Sequence, residues 1–211
     1  MVAYPERRLD DPARLAELLA GPVVPAARGL LGARLSAGGV TVRITEVEAY
    51  AGTAGDPASH AHRGCTPRNA VMFGPAGHAY VYFTYGMHWC MNVVTGPDGE
   101  ASAVLLRAGE VVDGLDVARA RRTAVRRDVD LARGPARLCA ALGIDKTGYG
   151  RYLLGDGPVR LRPPAEPVAP ESVSAGPRVG VTGAHDVPWR FWITDDPTVS
   201  SYRRHVPRRR T

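Results

Sequence analysis

Lysine is nearly missing from this 211-residue chain: of its 27 basic residues, Lys146 alone is not arginine. The skew reads as the codon bias of a GC-rich bacterial genome, and it also removes amine chemistry from almost every position. Cysteine is scarce too. Cys65, Cys90 and Cys139 are an odd number with no Cys-x-x-Cys pair, which excludes a disulfide framework and a zinc knuckle and fits a reducing cytoplasm. No apolar run approaches the roughly 18 residues of a membrane span, and the first ten residues carry charges where a signal peptide needs its apolar stretch. The expectation is a cytoplasmic protein that does not enter membranes. What is present is ordinary for a globular chain, 45% hydrophobic and 23% charged, and the length suits one domain with a real core.

The net charge of +6 and pI of 9.6 suggest an anionic partner, but the charge is unevenly placed. Residues 1–110 hold 9 arginines against 10 acids, whereas 111–211 hold 17 arginines and Lys146 against 11 acids. Five of those arginines fall in 203–211, which divides the chain into a domain over 1–202 and a basic, disordered tail. Such a tail either solubilises the protein or touches phosphates directly.

Pro12 suits a first helical position with Asp11 as its cap, and Gly21-Pro22 stops that helix. Gly38-Gly39 makes a hairpin of 33–35 and 40–50. Further strands are expected over 78–85, 89–94, 103–108, 179–181 and 189–193, with helices over 116–127 and 135–142. The proline-rich stretch 158–177 reads as loop or edge strand. These elements predict an α+β fold: one compact domain around a curved, mostly antiparallel sheet, a partly open barrel, with peripheral helices.

Over 40–50, alternation puts Val40, Val42, Ile44, Glu46, Glu48 and Tyr50 on one face unless a bulge intervenes. Two carboxylates then follow three apolar residues toward the core. A buried carboxylate is costly unless paired or lining a cleft, and burial can bring a carboxyl into general-base range. The alternative is a bulge that turns one Glu to solvent. Aromatic residues are only 7% of the chain, yet Tyr50, Tyr80, Tyr82, Phe83, Tyr85 and Trp89 crowd one region, with Tyr80 and Tyr82 on one strand face and Tyr85 before Gly86, where a turn exposes it. Core tyrosines are common, but rings beside a carboxylate also suit stacked bases.

The ordered series Glu46-Val47-Glu48-Ala49-Tyr50, Ser59-His60, Thr66-Pro67-Arg68-Asn69, Met72-Phe73, Tyr80-Val81-Tyr82, Tyr85-Gly86-Met87, Cys90-Met91-Asn92 and Val104-Leu105-Leu106-Arg107-Ala108 closely resembles the alkyladenine (3-methyladenine) DNA glycosylase family. Weaker echoes follow in 134–139, 177–181 and 189–191. The resemblance implies a base-excision-repair enzyme acting on double-stranded DNA that contains damaged purines, working as a monomer with no cofactor and no metal. It implies that Glu48 is the general base activating a water, that Arg107 helps hold this water, and that the Val179 carbonyl completes its shell. It further implies that Tyr50, His60 and Tyr82 wall the pocket for the extruded base, that Asn92 excludes guanine, and that Tyr85 wedges into the duplex. Thr66, Arg68 and Met72 are implied DNA contacts.

The chemistry is consistent with those roles. A base must leave the stack before its glycosidic bond is reachable, at a cost of roughly a few kcal/mol, and Tyr85 would fill the hole. Purines alkylated at N3 or N7 are cationic and favour the electron-rich rings of Tyr50 and Tyr82, whereas neutral hypoxanthine or ethenoadenine depends on hydrogen bonds, with His60 the candidate donor. Near-absence of lysine argues against a Schiff base, so a monofunctional enzyme leaving an abasic site is expected. The sequence departs from the family in a loop one residue longer between Tyr50 and His60 and one shorter before Thr66, which leaves His62 as a rival to His60. His88 stands where an aromatic ring is also seen. Other readings are a noncatalytic nucleic-acid-binding module, and a metal site at His60, His62 and Cys65.

Overall fold

The computed structural model describes residues 12–53 and 55–204. Asp11, the expected helix cap, and 205–211 of the expected tail lie outside the described residues.

Helix α1 (Pro12–Ala20) buries Leu15 and Leu19, and α2 (Val23–Gly29) buries Ala26 and Ala27. The second helix is not evident from the sequence, because Pro22 reads as a stop for the first; here it also serves as the N-cap of the second. The hairpin of β1 (Arg34–Ala37) and β2 (Val40–Tyr50) forms as expected. It is followed by β3 (Ala79–Thr84), β4 (His88–Val94), β5 (Ala103–Asp113), α3 (Leu115–Arg121), α4 (Pro135–Leu142), β6 (Val159–Arg162), β7 (Val173–Gly176) and β8 (Arg190–Ile193). The expected helix over 116–127 thus ends at Arg121, and the strand expected over 179–181 is a turn through Gly180 at φ +70°.

The strands curl into an antiparallel half-barrel in the order β3-β4-β5-β2-β1-β6, with β8 added to β2 and β7 to β8. Strand β2 is its spine. One side of β2 runs along β5; the other pairs with β1 over its first residues and with β8 from Glu46 to Glu48. A bulge lies where it changes neighbours: the register with β5 slips on both sides of Glu46. Gly109 of β5 permits the close approach, since a Cβ there would sit 2.4 Å from the Arg43 carbonyl oxygen.

That bulge corrects the simple alternation. Val42 and Ile44 face the main core, Thr45 and Glu46 both turn away from it, and Val47 and Ala49 face it again. Helices α1, α2 and α4 pack on the core face, contributing Leu15, Leu19, Leu138 and Leu142. The opposite face of β3-β4-β5-β2 presents Tyr80, Tyr82, Asn92, Arg107, Glu48 and Tyr50. A smaller apolar cluster of Ala61, Met72, Tyr80, Val94, Ala101 and Ala103 supports one end of that second face. Among the described residues, no helix is long and apolar enough to cross a membrane.

Candidate active site

Both Glu46 and Glu48 leave the face of Ile44, yet neither reaches solvent; each is 0% exposed. The bulge hands them to a second, polar layer built by the β7–β8 pair, the 177–181 turn and the segment 198–200.

Three donors converge on Glu48. Tyr50 Oη donates to Oε2 at 2.7 Å, the Val179 backbone N–H donates to Oε1 at 2.7 Å, and Arg107 Nη1 lies 3.3 Å from Oε1. Burial, and after it the Glu48 charge, pushes the Tyr50 phenol well above its ordinary range, so its hydroxyl keeps the proton it donates. Burial opposes the charge on Arg107, but Glu48 and Glu46 more than offset it and the guanidinium's pKa rises.

Arg107 is itself held by Glu46. Its Nε donates to Glu46 Oε1 at 2.9 Å, Arg190 Nε to the same oxygen at 2.6 Å, and the Ser200 backbone N–H to Oε2 at 2.7 Å. Ser200 Oγ adds a bond to Oε1 at 3.0 Å. Two carboxylates thus face two guanidiniums inside the protein, a pairing that makes burial of all four tolerable.

The Val179 amide is aimed by its neighbour. Arg178, 1% exposed, forks onto Asp56, with Nη1 to Oδ2 at 2.6 Å and Nη2 to Oδ1 at 2.8 Å. Its Nη1 also donates to the Ala49 carbonyl at 2.9 Å, and its guanidinium lies 4.7 Å from the Tyr50 ring centroid and 5.4 Å from that of Trp189. One side chain therefore joins the end of β2, the 51–58 segment and the 177–181 turn. Gly52 lets that segment close in, since a Cβ there would collide with the Ala101 carbonyl at 2.1 Å.

Beside Glu48 lies the aromatic pocket. Tyr80 and Tyr82 stack at 5.3 Å between centroids, His60 sets its edge against Tyr82 at 4.7 Å, and His60 Nδ1 is 2.9 Å from Tyr80 Oη. Asn69 fixes the turn that carries His60, its Nδ2 donating to the carbonyls of His60 and Gly64. His60 rather than His62 is the histidine that meets these rings; His62 Nδ1 is buried without a partner. Burial pushes the Tyr80 phenol up to about 12, and burial followed by the Arg68 charge lowers His60. A protonated Tyr80 hydroxyl beside a neutral imidazole allows Nδ1 to accept and Nε2 to donate. Asn92, 5% exposed, donates from Nδ2 to the Tyr80 carbonyl at 3.2 Å.

At the end of β3, Tyr85 is 86% exposed with φ +52°, next to Gly86 at φ +68°. The Met87 N–H closes this turn on the Thr84 carbonyl, the type I′ geometry of a tight hairpin. Thr66 and Arg68 are exposed, and Arg68 reaches the Phe83 carbonyl close to this tip. Met72, implied as a DNA contact, is instead 2% exposed in the second apolar cluster, where it backs the pocket. Among the described residues, no three metal-type ligands gather, so His60, His62 and Cys65 do not form a metal cluster. Asp56, Asn69, Arg178, Arg190 and Ser200 also belong to the site, without having been expected there. Asn69, Arg178 and Arg190 lie within stretches that carry the family resemblance, which was the signal available for them; Asp56 and Ser200 lie outside it.

The chain matches the family model described as "Methylpurine-DNA glycosylase (MPG)" over residues 17–197. A relative from Nocardia farcinica is 58% identical over 193 residues, covering 89% of this chain and 90% of the relative. One from Streptomyces avermitilis is 52% identical, covering 100% and 99%. A third, from Mycobacterium bovis, is 50% identical and covers 90% and 94%. All three bear the name "Putative 3-methyladenine DNA glycosylase". With the model spanning most of the chain and identities of this size, the protein belongs to the methylpurine-DNA glycosylase family.

Proposed function

We propose that this protein flips alkylated or deaminated purines out of duplex DNA and hydrolyses their N-glycosidic bond with a water activated by Glu48. The observation that carries the proposal is the carboxylate of Glu48, gripped by Tyr50, Val179 and Arg107 at the edge of the Tyr80–Tyr82–His60 cluster. Water attacks C1′, its proton passes to Glu48, and the C1′–N9 electrons leave with the base. A cationic N3- or N7-alkylated purine departs neutral; a neutral purine departs as an anion that takes up a proton from solvent, and His60 Nε2 is the proposed hydrogen-bond donor to it. Arg107 and the Val179 carbonyl are the proposed holders of this water, and both residues already meet Glu48 Oε1, through the guanidinium and the Val179 N–H. Tyr85, exposed at the hairpin tip, is the proposed wedge, and Thr66 and Arg68 are proposed to lie along the DNA. Asn92 faces the pocket and is the proposed barrier to the guanine 2-amino group.

We take the enzyme to be a monofunctional monomer. Lys146 opens a short 3₁₀ turn that packs against β3, so sequence distance alone does not keep it from the pocket. The case for hydrolysis rests on Glu48. The test is excision from duplexes carrying hypoxanthine or ethenoadenine and from methylated DNA. Wild type should release base, with strand breaks only after alkali, and Glu48→Gln should lose release by at least about a hundredfold while still binding DNA. Equal excision by the variant would remove Glu48 from the mechanism, and strand cleavage without alkali would refute the monofunctional reading. A protein that binds DNA and releases nothing would be a binding module.

A further inference from the structure

The pocket's charges cancel in pairs except for one. Arg107 and Arg190 face Glu46 and Glu48, and Arg178 faces Asp56. Arg68 forms no ion pair among the described residues. It is nonetheless fixed: Nη2 donates to the Phe83 carbonyl at 3.1 Å, which holds the guanidinium 5.6 Å from the Tyr82 ring centroid. The other pocket tyrosine is occupied in the same way, with Arg178 4.7 Å from the Tyr50 centroid. Both rings expected to attract a cationic base therefore already share their negative faces with guanidiniums. The Arg68 charge also reaches further: after burial it is the next cause that lowers the pKa of His60, and on the Tyr80 phenol it opposes the upward push of burial.

Resting on the glycosylase reading, we infer that Arg68 is a specificity-determining residue that biases the pocket against cationic purines and toward neutral ones. A purine alkylated at N7 carries a positive charge toward an uncompensated guanidinium and toward rings whose quadrupole is already engaged. Hypoxanthine carries none, and stacks on the same rings without that repulsion. The effect is electrostatic, so it depends on the charge at position 68 and weakens with salt.

The experiment measures single-turnover release of 7-methylguanine and of hypoxanthine from otherwise identical duplexes, with spontaneous depurination subtracted, for wild type, Arg68→Gln and Arg68→Lys. Glutamine keeps a donor for the Phe83 carbonyl and loses the charge; lysine keeps the charge. The 7-methylguanine to hypoxanthine rate ratio should rise about three- to tenfold in Arg68→Gln and stay within about twofold of wild type in Arg68→Lys. Higher salt should raise the wild-type ratio and leave that of Arg68→Gln nearly flat. A ratio unchanged by Arg68→Gln overturns the inference, and equal loss on both substrates with a shallower salt dependence of binding also overturns it, leaving Arg68 only the DNA contact proposed above. Release of neither base by wild type would refute the glycosylase reading itself, an outcome distinct from an unchanged ratio.

Discussion

Asp56 grips Arg178 by both carboxylate oxygens, at 2.6 and 2.8 Å, with both side chains almost wholly buried. Asp56 also accepts the Ala51 and Ala58 amides, so it shapes the segment leading to His60 while it fixes the residue before Val179. Removing one partner leaves the other charge buried alone, which costs about 3–5 kcal/mol. Arg178→Met should lower the unfolding free energy by that amount, read as a lower denaturation midpoint at unchanged slope, and slow excision. The Asp56→Leu/Arg178→Met double variant should regain much of the stability, because no orphan charge remains, yet stay slow, because the Val179 amide is no longer aimed at Glu48. Denaturant titration beside single-turnover excision checks this; full recovery of rate in the double variant would show the pair to be structural only.

Glu46 makes a pH prediction. Burial acts to raise its pKa, but Arg107, Arg190 and the Ser200 bonds outweigh it and leave the carboxyl below the ordinary range. A carboxyl with a lower pKa folded than unfolded binds fewer protons when folded, so it contributes stability above the unfolded value, roughly 4.3, that is lost as pH falls through the folded value. Wild type should lose more stability between pH 7 and about pH 3 than Glu46→Gln does. Parallel losses in the two proteins would mean that Glu46 does not carry this acid sensitivity.

The same residue marks where the sequence is legible and where it is not. Pattern and turn residues locate the hairpin through Gly38-Gly39 and the strands that became β3, β4 and β5, because local alternation and glycine turns are local information. The resemblance draws attention to Glu48, Tyr50, Tyr82, His60 and Val179, and the fold gathers them at one end of the sheet. Period-two counting fails at Thr45, where β2 exchanges β1 for β8, a change of neighbour that depends on strands far along the chain. Ser200 and Arg190 close on Glu46 across 154 and 144 residues, a separation over which no local pattern names the partner. Val179 lies in a turn rather than in the strand its sequence predicts, and that turn lets its amide point at Glu48. Met72 reads as a surface contact only while the cluster it completes with Ala61 and Tyr80 is out of view.

Tyr85 should separate stability from activity. A side chain in the left-handed region costs about 1–2 kcal/mol, and this one is 86% exposed, so it gains little packing in return. Glycine adopts φ +52° freely but has more backbone freedom to lose on folding, which offsets part of the gain. Tyr85→Gly should therefore leave the protein as stable as wild type or up to about 1 kcal/mol more stable. If the ring fills the gap left by an extruded base, the same change should slow excision of a paired lesion by at least about tenfold, since re-stacking is no longer opposed. A lesion in single-stranded DNA leaves no such gap, so there the loss should nearly vanish. Thermal melts with excision from paired and single-stranded hypoxanthine decide it: an equal loss on both substrates would mean that Tyr85 touches the base or the backbone rather than holding the duplex open.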